Sequence, residues 1–263
     1  MEDSPDKFGQ AMITNIEKEV SSPRKKYESP PLVKNPDEDI LSNYEKGSSK
    51  KIGHGVTDSE YVELIDDGKG VFKTENYAKE RAAYLVDRFL NLGLTPPTVI
   101  KNIGTTVGSI QRFLEDTKTF IELQVNSDEF YITFKDQLIK LWVFDLILGN
   151  TDRHGGNFLI KEGRIYAIDH GDTLGGYYPY KEFTEVDGTG YYLPYKRFYG
   201  ESMPQELIDK FKQFNASPEL KNILVELLTE LLGEGVAKVC LQRIEFVAKL
   251  VEEKGCIPSS LEN

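Results

Sequence analysis

Cysteine is scarce in this sequence. The 263 residues contain two, Cys240 and Cys256. Two thiols near the end of the chain supply no disulfide framework, and neither has a Cys or His neighbour at metal-ligand spacing. Reduced thiols in a cytoplasmic protein are therefore expected. Long apolar runs are missing too, so no segment is expected to span a bilayer. The opening Met1-Glu2-Asp3-Ser4-Pro5 has neither a basic n-region nor an apolar h-region, and no secretory signal is expected. Positive charge is in deficit, with 32 Lys and Arg against 43 Asp and Glu and a net charge of −11. Such a chain repels nucleic-acid phosphates, which removes nucleic acid from the expected partners. A local basic patch leaves peripheral membrane contact open. No repeat at solenoid period is present. Histidine is limited to His54, His154 and His170.

What remains is the make-up of a globular protein. A hydrophobic content of 39% over this length can fill one large domain or two small lobes. Residues 1–48 stand apart. Ser21-Ser22-Pro23-Arg24-Lys25-Lys26, Ser29-Pro30-Pro31 and Lys46-Gly47-Ser48-Ser49-Lys50-Lys51 are linker-like, so a flexible tail is expected there, with Phe8, Met12, Ile13, Ile16 and Val20 able to form one short amphipathic face. From residue 52 the pattern becomes strand-like. Residues 61–65 and 70–73 read as a hairpin, a helix capped by Asn76 runs to about Asn91, and strands follow at 98–101 and 106–113. The second half is mostly helical, at 136–148, 204–214, 218–232 and 236–253. The helix at 136–148 is apolar nearly all round, the mark of a helix buried in a core. Strands first and helices second predict an α+β, two-lobed molecule. Its small lobe is expected at 49–114, its large lobe at 115–254 and a short tail at 255–263.

The segment richest in chemistry follows the buried helix: Gly149-Asn150-Thr151-Asp152-Arg153-His154-Gly155-Gly156-Asn157. Two apolar runs, 158–160 and 165–168, flank a turn at Glu162-Gly163 and read as a hairpin. Asn157 and Asp169 are equidistant from Gly163, so pairing brings them to one end, beside Asp152. Phosphoryl transfer needs such a set: a carboxylate to orient and deprotonate a hydroxyl, and hard oxygen ligands to hold Mg²⁺ against nucleotide phosphates. The expected roles are Asp152 as catalytic base, Asn157 and Asp169 as metal ligands, and Arg153 and His154 as loop-positioning residues. Lys73 ends a strand, and Glu80 lies seven residues on, near a helix start. A lysine there reaches the α- and β-phosphates of ATP and a helical glutamate holds it in place. Upstream, the Gly53-His54-Gly55-Val56-Thr57-Asp58-Ser59 segment places small residues, with Gly53, Gly55 and Ser59 among them, where backbone N–H groups can approach phosphates.

In their order, Lys73, Glu80, Asp152, Asn157 and Asp169 resemble the kinase-like superfamily. Asp152-Arg153-His154-x-x-Asn157 with Ile168-Asp169-His170-Gly171 is less similar to ordinary protein kinases, whose loop typically reads His-Arg-Asp. It resembles the phosphatidylinositol 3-/4-kinase branch and its atypical relatives, among them HipA-like kinases and secretory-pathway kinases of the four-jointed type. Glu80-Arg81-Ala82-Ala83-Tyr84 with Pro96-Pro97, and Gly108-Ser109-Ile110-Gln111, look like the same group. The resemblance covers roughly residues 52–250. It implies a two-lobed kinase-like fold with ATP and Mg²⁺, or Mn²⁺ in its place, between the lobes. It also implies a hinge at 111–114, bringing Gln111 and Phe113 to the ATP site. The sequence departs from the wider pattern at His170, where many kinases carry Phe, and in lacking a Gly-x-Gly-x-x-Gly loop.

The acceptor is a hydroxyl of unknown class, on a protein, a phosphoinositide or a small molecule. Tyr177, Tyr178, Tyr180, Lys181, Tyr191, Tyr192, Tyr195, Lys196 and Arg197 follow the metal segment. Lys196-Arg197 could meet an anionic head group. Two other readings are open. One is a nucleotide-binding regulatory module or pseudokinase. The other is a metal-dependent phosphoesterase using His154, Asp152 and Asp169.

Overall fold

The computed structural model describes residues 35–44, 49–51, 59–64, 68–123, 127–175 and 195–257. Gly53 and Gly55 of the expected phosphate loop, most of the expected tail, and the tyrosines and lysine at 177–192 lie outside them.

The strand signals of the first half build one antiparallel sheet. Strands β1 (Ser49–Lys51), β2 (Ser59–Glu63), β3 (Lys69–Lys73), β4 (Thr98–Ile103) and β5 (Thr106–Arg112) lie in the order β1-β2-β3-β5-β4. The two-residue period sends Phe72 to one face and Val71 and Lys73 to the other. On the Phe72 face, Val62, Val99 and Ile110 close a small core. Gly108 is what lets β5 approach β3. A Cβ at that position would lie 2.5 Å from the Lys73 carbonyl oxygen and 2.5 Å from the Phe72 ring.

Residues 35–44 correct the expected tail. Pro36–Ser42 is a helix, α1. Asn35 is its N-cap, and the Asn35 side chain accepts a hydrogen bond from the Asp37 N–H at 3.0 Å. Proline stands in the first turn, with Asp37, Glu38 and Asp39 beside it, where acidic side chains complement the helix dipole. Leu41 and Tyr44 are fully buried and complete the small core with Val62, Leu64 and Phe72. Apolar burial of this kind offsets the ordering entropy that composition alone suggested would win.

Helix α2, Tyr77–Leu90, follows β3. Asn76 occupies its N-cap position in a left-handed conformation without a side-chain capping bond. Its apolar stripe, Ala82, Leu85, Val86 and Phe89, joins the large lobe's core, not the sheet's. The large lobe begins after β6 (Lys118–Thr119) with the short helices α3 (Phe120–Leu123) and α4 (Ser127–Thr133). Helix α5 (Lys135–Leu148) runs through the middle of the core, fully buried from Leu141 to Leu148 apart from slight exposure at Trp142. The hairpin β7 (Phe158–Lys161) and β8 (Arg164–Ala167) pairs with β6. Helices α6 (Gln205–Asn215), α7 (Pro218–Leu232) and α8 (Glu234–Lys254) complete the lobe, and α2 packs on α7. Residues 255–257 are not tail. Ser202 bridges Cys256, and the buried Ile257 donates its N–H to the Glu201 carbonyl at 2.9 Å.

Candidate active site

The loop after α5 is set by how that helix stops. Gly149 ends it in the left-handed region at φ 63°, where glycine carries no Cβ penalty. A Cβ here would also stand 2.4 Å from the buried Arg243 guanidinium of α8. The chain then leaves the core as Asn150-Thr151-Asp152.

Asp145, one turn before the helix end, organises this loop from below. It is buried and pairs with the buried Arg153, whose Nε donates to both carboxylate oxygens at 3.1 Å and whose Nη2 donates to Oδ1 at 3.1 Å. The remaining nitrogen, Nη1, donates to the Asn157 and Ile168 carbonyls, the latter at 2.7 Å. One guanidinium thus ties the helix, the loop and both ends of the hairpin, using the rigid donor fork that distinguishes Arg from Lys. Asn150 adds a second tie. Its Nδ2 donates to Asp145 at 3.0 Å, and its Oδ1 accepts the Asp152 N–H at 2.9 Å. Asp145 and Asn150 were not singled out from the sequence. The available signal was an acidic residue in the wholly apolar last two turns of a core helix, where an ionised group needs a buried partner.

The hairpin turns through Glu162 (φ 49°) and Gly163 (φ 74°), with Lys161 paired to Arg164. Two successive positive φ values make the tight turn whose twist matches the strands. The symmetry point lies between these two residues, not at Gly163. Asn157 therefore faces Ile168, whose N–H donates to the Asn157 carbonyl at 3.1 Å. Asp169 is the first residue beyond the pairing, in the left-handed region at φ 57°. Few non-glycine residues adopt that conformation, and Asp is among those that tolerate it best.

Asp152, Asn157 and Asp169 come to the same end of this hairpin. The Asn157 Nδ2 donates to the Asp152 carbonyl at 2.9 Å and reaches the Asp152 carboxylate at 3.4 Å, which leaves Oδ1 as the oxygen available to a cation. The Asp152 and Asp169 side chains are close to half exposed, at 48% and 43%. His154 uses Nδ1 to accept the Gly156 N–H at 3.0 Å, and its Nε2 stands 3.9 Å from Asp152.

Lys73 joins this end to the small lobe. Its Nζ donates to Glu80 Oε1 at 2.6 Å and to Asp169 Oδ1 at 3.2 Å. Burial opposes the charge on Lys73, but the two carboxylates more than offset it and hold the ammonium above the usual lysine range. Burial would raise Glu80 as well. Instead, the hydrogen bond with His170 and the charge of Lys73 pull its carboxyl down to about 2. Both are therefore ionised at neutral pH. Of the other predicted nucleotide contacts, Ser59 sits opposite Lys73 in the sheet register. Gln111 is buried and donates to the Thr98 hydroxyl at 3.0 Å. Phe113 meets Tyr61 edge to face, with centroids 5.1 Å apart. Arg197 lies 2.6 Å from Asp128 in an exposed ion pair and over the Tyr131 ring at 4.7 Å. Among the described residues, no three His, Cys, Asp or Glu side chains converge as a metal cluster.

Comparisons with known proteins bear on the family and the fold. A family model described as Phosphatidylinositol 3- and 4-kinase matches residues 39–228, more than half of the chain. The Mycobacterium tuberculosis protein Rv2133c is 24% identical over 124 residues, a match spanning 35% of this chain and 45% of that protein, so the similarity extends over less than half of the relative's length. Among solved structures, the Golgi casein kinase superposes with a TM-score of 0.56 at 16% identity, over 86% of this chain and 78% of that one. A structure of that kinase with Mn/ADP bound gives 0.53 at the same identity and coverage. The Helicobacter pylori proinflammatory kinase CtkA gives 0.54 at 16% identity, over 81% and 99% of the two chains. At such identities these superpositions establish the two-lobed kinase-like fold alone.

Proposed function

This chain belongs to the phosphatidylinositol 3- and 4-kinase family, and we propose that it is an ATP-dependent kinase that transfers the γ-phosphate to a hydroxyl. The observation that carries the reading is Lys73, whose ammonium bonds at once to Glu80 on α2 and to Asp169 at the end of the hairpin. A cation held between these carboxylates is placed to receive nucleotide phosphates. The Asp169 carboxylate and the Asn157 Oδ1 are hard oxygen donors that suit Mg²⁺ or Mn²⁺, and phosphate oxygens would complete the shell. When bound, the ion neutralises charge that builds on the β- and γ-phosphate oxygens.

Asp152 is the proposed base. Its partly exposed carboxylate accepts the proton of the acceptor hydroxyl as that oxygen bonds to the γ-phosphorus. The bond to the β–γ bridging oxygen breaks and ADP leaves. Arg153, held by Asp145, and His154, bonded to the Gly156 N–H, keep the loop in place during the exchange. Ser59, Gln111 and Phe113 are the proposed nucleotide-side residues; Gly53 and Gly55 of the expected phosphate loop lie outside the described residues. The acceptor hydroxyl belongs to a protein, a phosphoinositide or a small molecule. No helix among the described residues is long and apolar enough to cross a membrane.

The test is transfer from labelled ATP with Mg²⁺ to protein, inositol-lipid and sugar panels, using the wild type beside Asp169→Ala and Asp152→Asn. Asp169→Ala is expected to lose roughly 10³-fold or more in turnover. Turnover within tenfold of wild type would remove Asp169 from the metal site. Mg²⁺-dependent ATP binding with no transfer to any acceptor would select the regulatory-module reading.

A further inference from the structure

His170 is an unexpected residue to find fully buried beside a metal-side aspartate. Its backbone N–H donates to Glu80 Oε1 at 3.2 Å, and its ring Nδ1 lies 3.3 Å from Glu80 Oε2. Both oxygens of the Glu80 carboxylate are thus engaged by the same residue, and Oε1 is the atom that also accepts from Lys73 at 2.6 Å. The ring packs edge-on against Phe144 of α5, with centroids 5.8 Å apart. Its other nitrogen, Nε2, is buried without a hydrogen-bond partner. Glu80 is ionised, so the Nδ1 contact is attractive only when that nitrogen carries a hydrogen. A buried ring that leaves one nitrogen unsatisfied loses stability relative to an apolar ring of the same size. That cost is offset at Nδ1, where a charge-assisted bond meets Glu80.

The surroundings hold His170 itself. The Thr173 hydroxyl donates to its carbonyl at 2.6 Å, and Lys79, one residue before Glu80, donates to the Gly171 carbonyl at 2.8 Å. The start of α2 is therefore fastened to the Asp169-His170-Gly171 segment by two successive residues.

We propose that His170 is a positioning residue: its ring fixes the Glu80 carboxylate so that Lys73 is presented to the phosphates of ATP. This rests on the kinase reading above. An apolar ring at position 170 would leave Oε2 of a carboxylate that is 2% exposed without a side-chain donor. Glu80 would then turn toward water and take Lys73 with it.

The test compares side chains that differ in where a donor stands. In His170→Asn the amide nitrogen replaces Nδ1. In His170→Gln it lies near Nε2. In His170→Phe the ring remains and both nitrogens are gone. The KM for ATP is expected to rise about tenfold in His170→Phe and His170→Gln, the loss of one hydrogen bond to a charged group, and to return close to wild type in His170→Asn. General destabilisation would lower kcat through the active fraction and leave the KM for ATP unmoved. Should His170→Phe fail to fold, the Asn and Gln pair carries the comparison. A second measurement needs no nucleotide. Labelling of the Lys73 amine by an amine-reactive reagent, followed by peptide mass spectrometry, should be faster in His170→Phe and His170→Gln than in wild type and His170→Asn. Equal KM values and equal labelling across the four proteins would overturn the proposal. A wild type that transfers no phosphate would overturn the kinase reading instead, and the labelling comparison would still decide the role of His170.

Discussion

Replacing Asp145 by Asn tests the loop's foundation, because it removes one charge and little volume from a buried site. In the wild type the Asp145 carboxylate accepts three Arg153 contacts, all at 3.1 Å, and one from Asn150 at 3.0 Å. Both ionic partners are buried. Breaking a buried pair by removing one member typically costs 3–5 kcal/mol, because the remaining charge is left uncompensated. The Asn Oδ1 can still accept one guanidinium N–H, so about 3 kcal/mol is expected. For a chain of this size that lowers Tm by roughly 6–12 °C. Chemical denaturation should show the midpoint fall at unchanged slope. The control is Asp145→Asn combined with Arg153→Met. With both charges gone, the double variant should be less destabilised than the sum of the two single variants. An Asp145→Asn protein within 0.5 kcal/mol of wild type, or strictly additive effects, would refute the account of Arg153 as a charge held in place by Asp145.

Two further outcomes follow from the packing and the electrostatics. The Glu80 carboxyl lies at about 2, below its ordinary 4.5, so the unfolded chain takes up the proton first as pH falls. The stability this gives is present above pH 4.5 and is lost on the way down to about 2. Wild type should therefore lose more stability than Glu80→Gln over that interval in acid-titrated urea melts, and parallel curves would contradict it. Leu41→Ala should cost about 3 kcal/mol, the range for a fully buried leucine, although it lies in a segment whose composition reads as linker. A loss under 1 kcal/mol in the same melts would show that α1 is not part of the small lobe's core.

Periodicity carried most of the fold. The all-round apolar character of 136–148 located the core helix, and the Glu162-Gly163 signal located the hairpin. The same features hid two facts. Counting from Gly163 instead of from the centre of a two-residue turn put Asn157 opposite Asp169, one residue out of register. An apolar helix drew attention away from Asp145, whose partner lies eight residues on and comes close only after the chain reverses at Gly149. Helix α1 carried a readable local start in Asn35-Pro36 followed by acidic residues. Its stabilising partners could not be read, because Glu38 meets Arg81 at 3.3 Å and Tyr84 at 2.8 Å only across more than forty residues of intervening chain. The set of Lys73, Glu80, Asp152, Asn157 and Asp169 was legible as residue types in order. The link from His170 to Glu80 was not, because no local pattern announces a contact spanning ninety residues.

Helix α2 is tied to both lobes, and this has a mechanical consequence. Its apolar stripe belongs to the large lobe's core, but it also packs on β4 and β5, and its Arg81 and Tyr84 reach the Thr98 carbonyl and Glu38 of α1. Glu80 thus sits on a helix that spans the seam, and any shift of the sheet against the helices is shared between the Lys73–Glu80 contact and the Glu80–His170 contact.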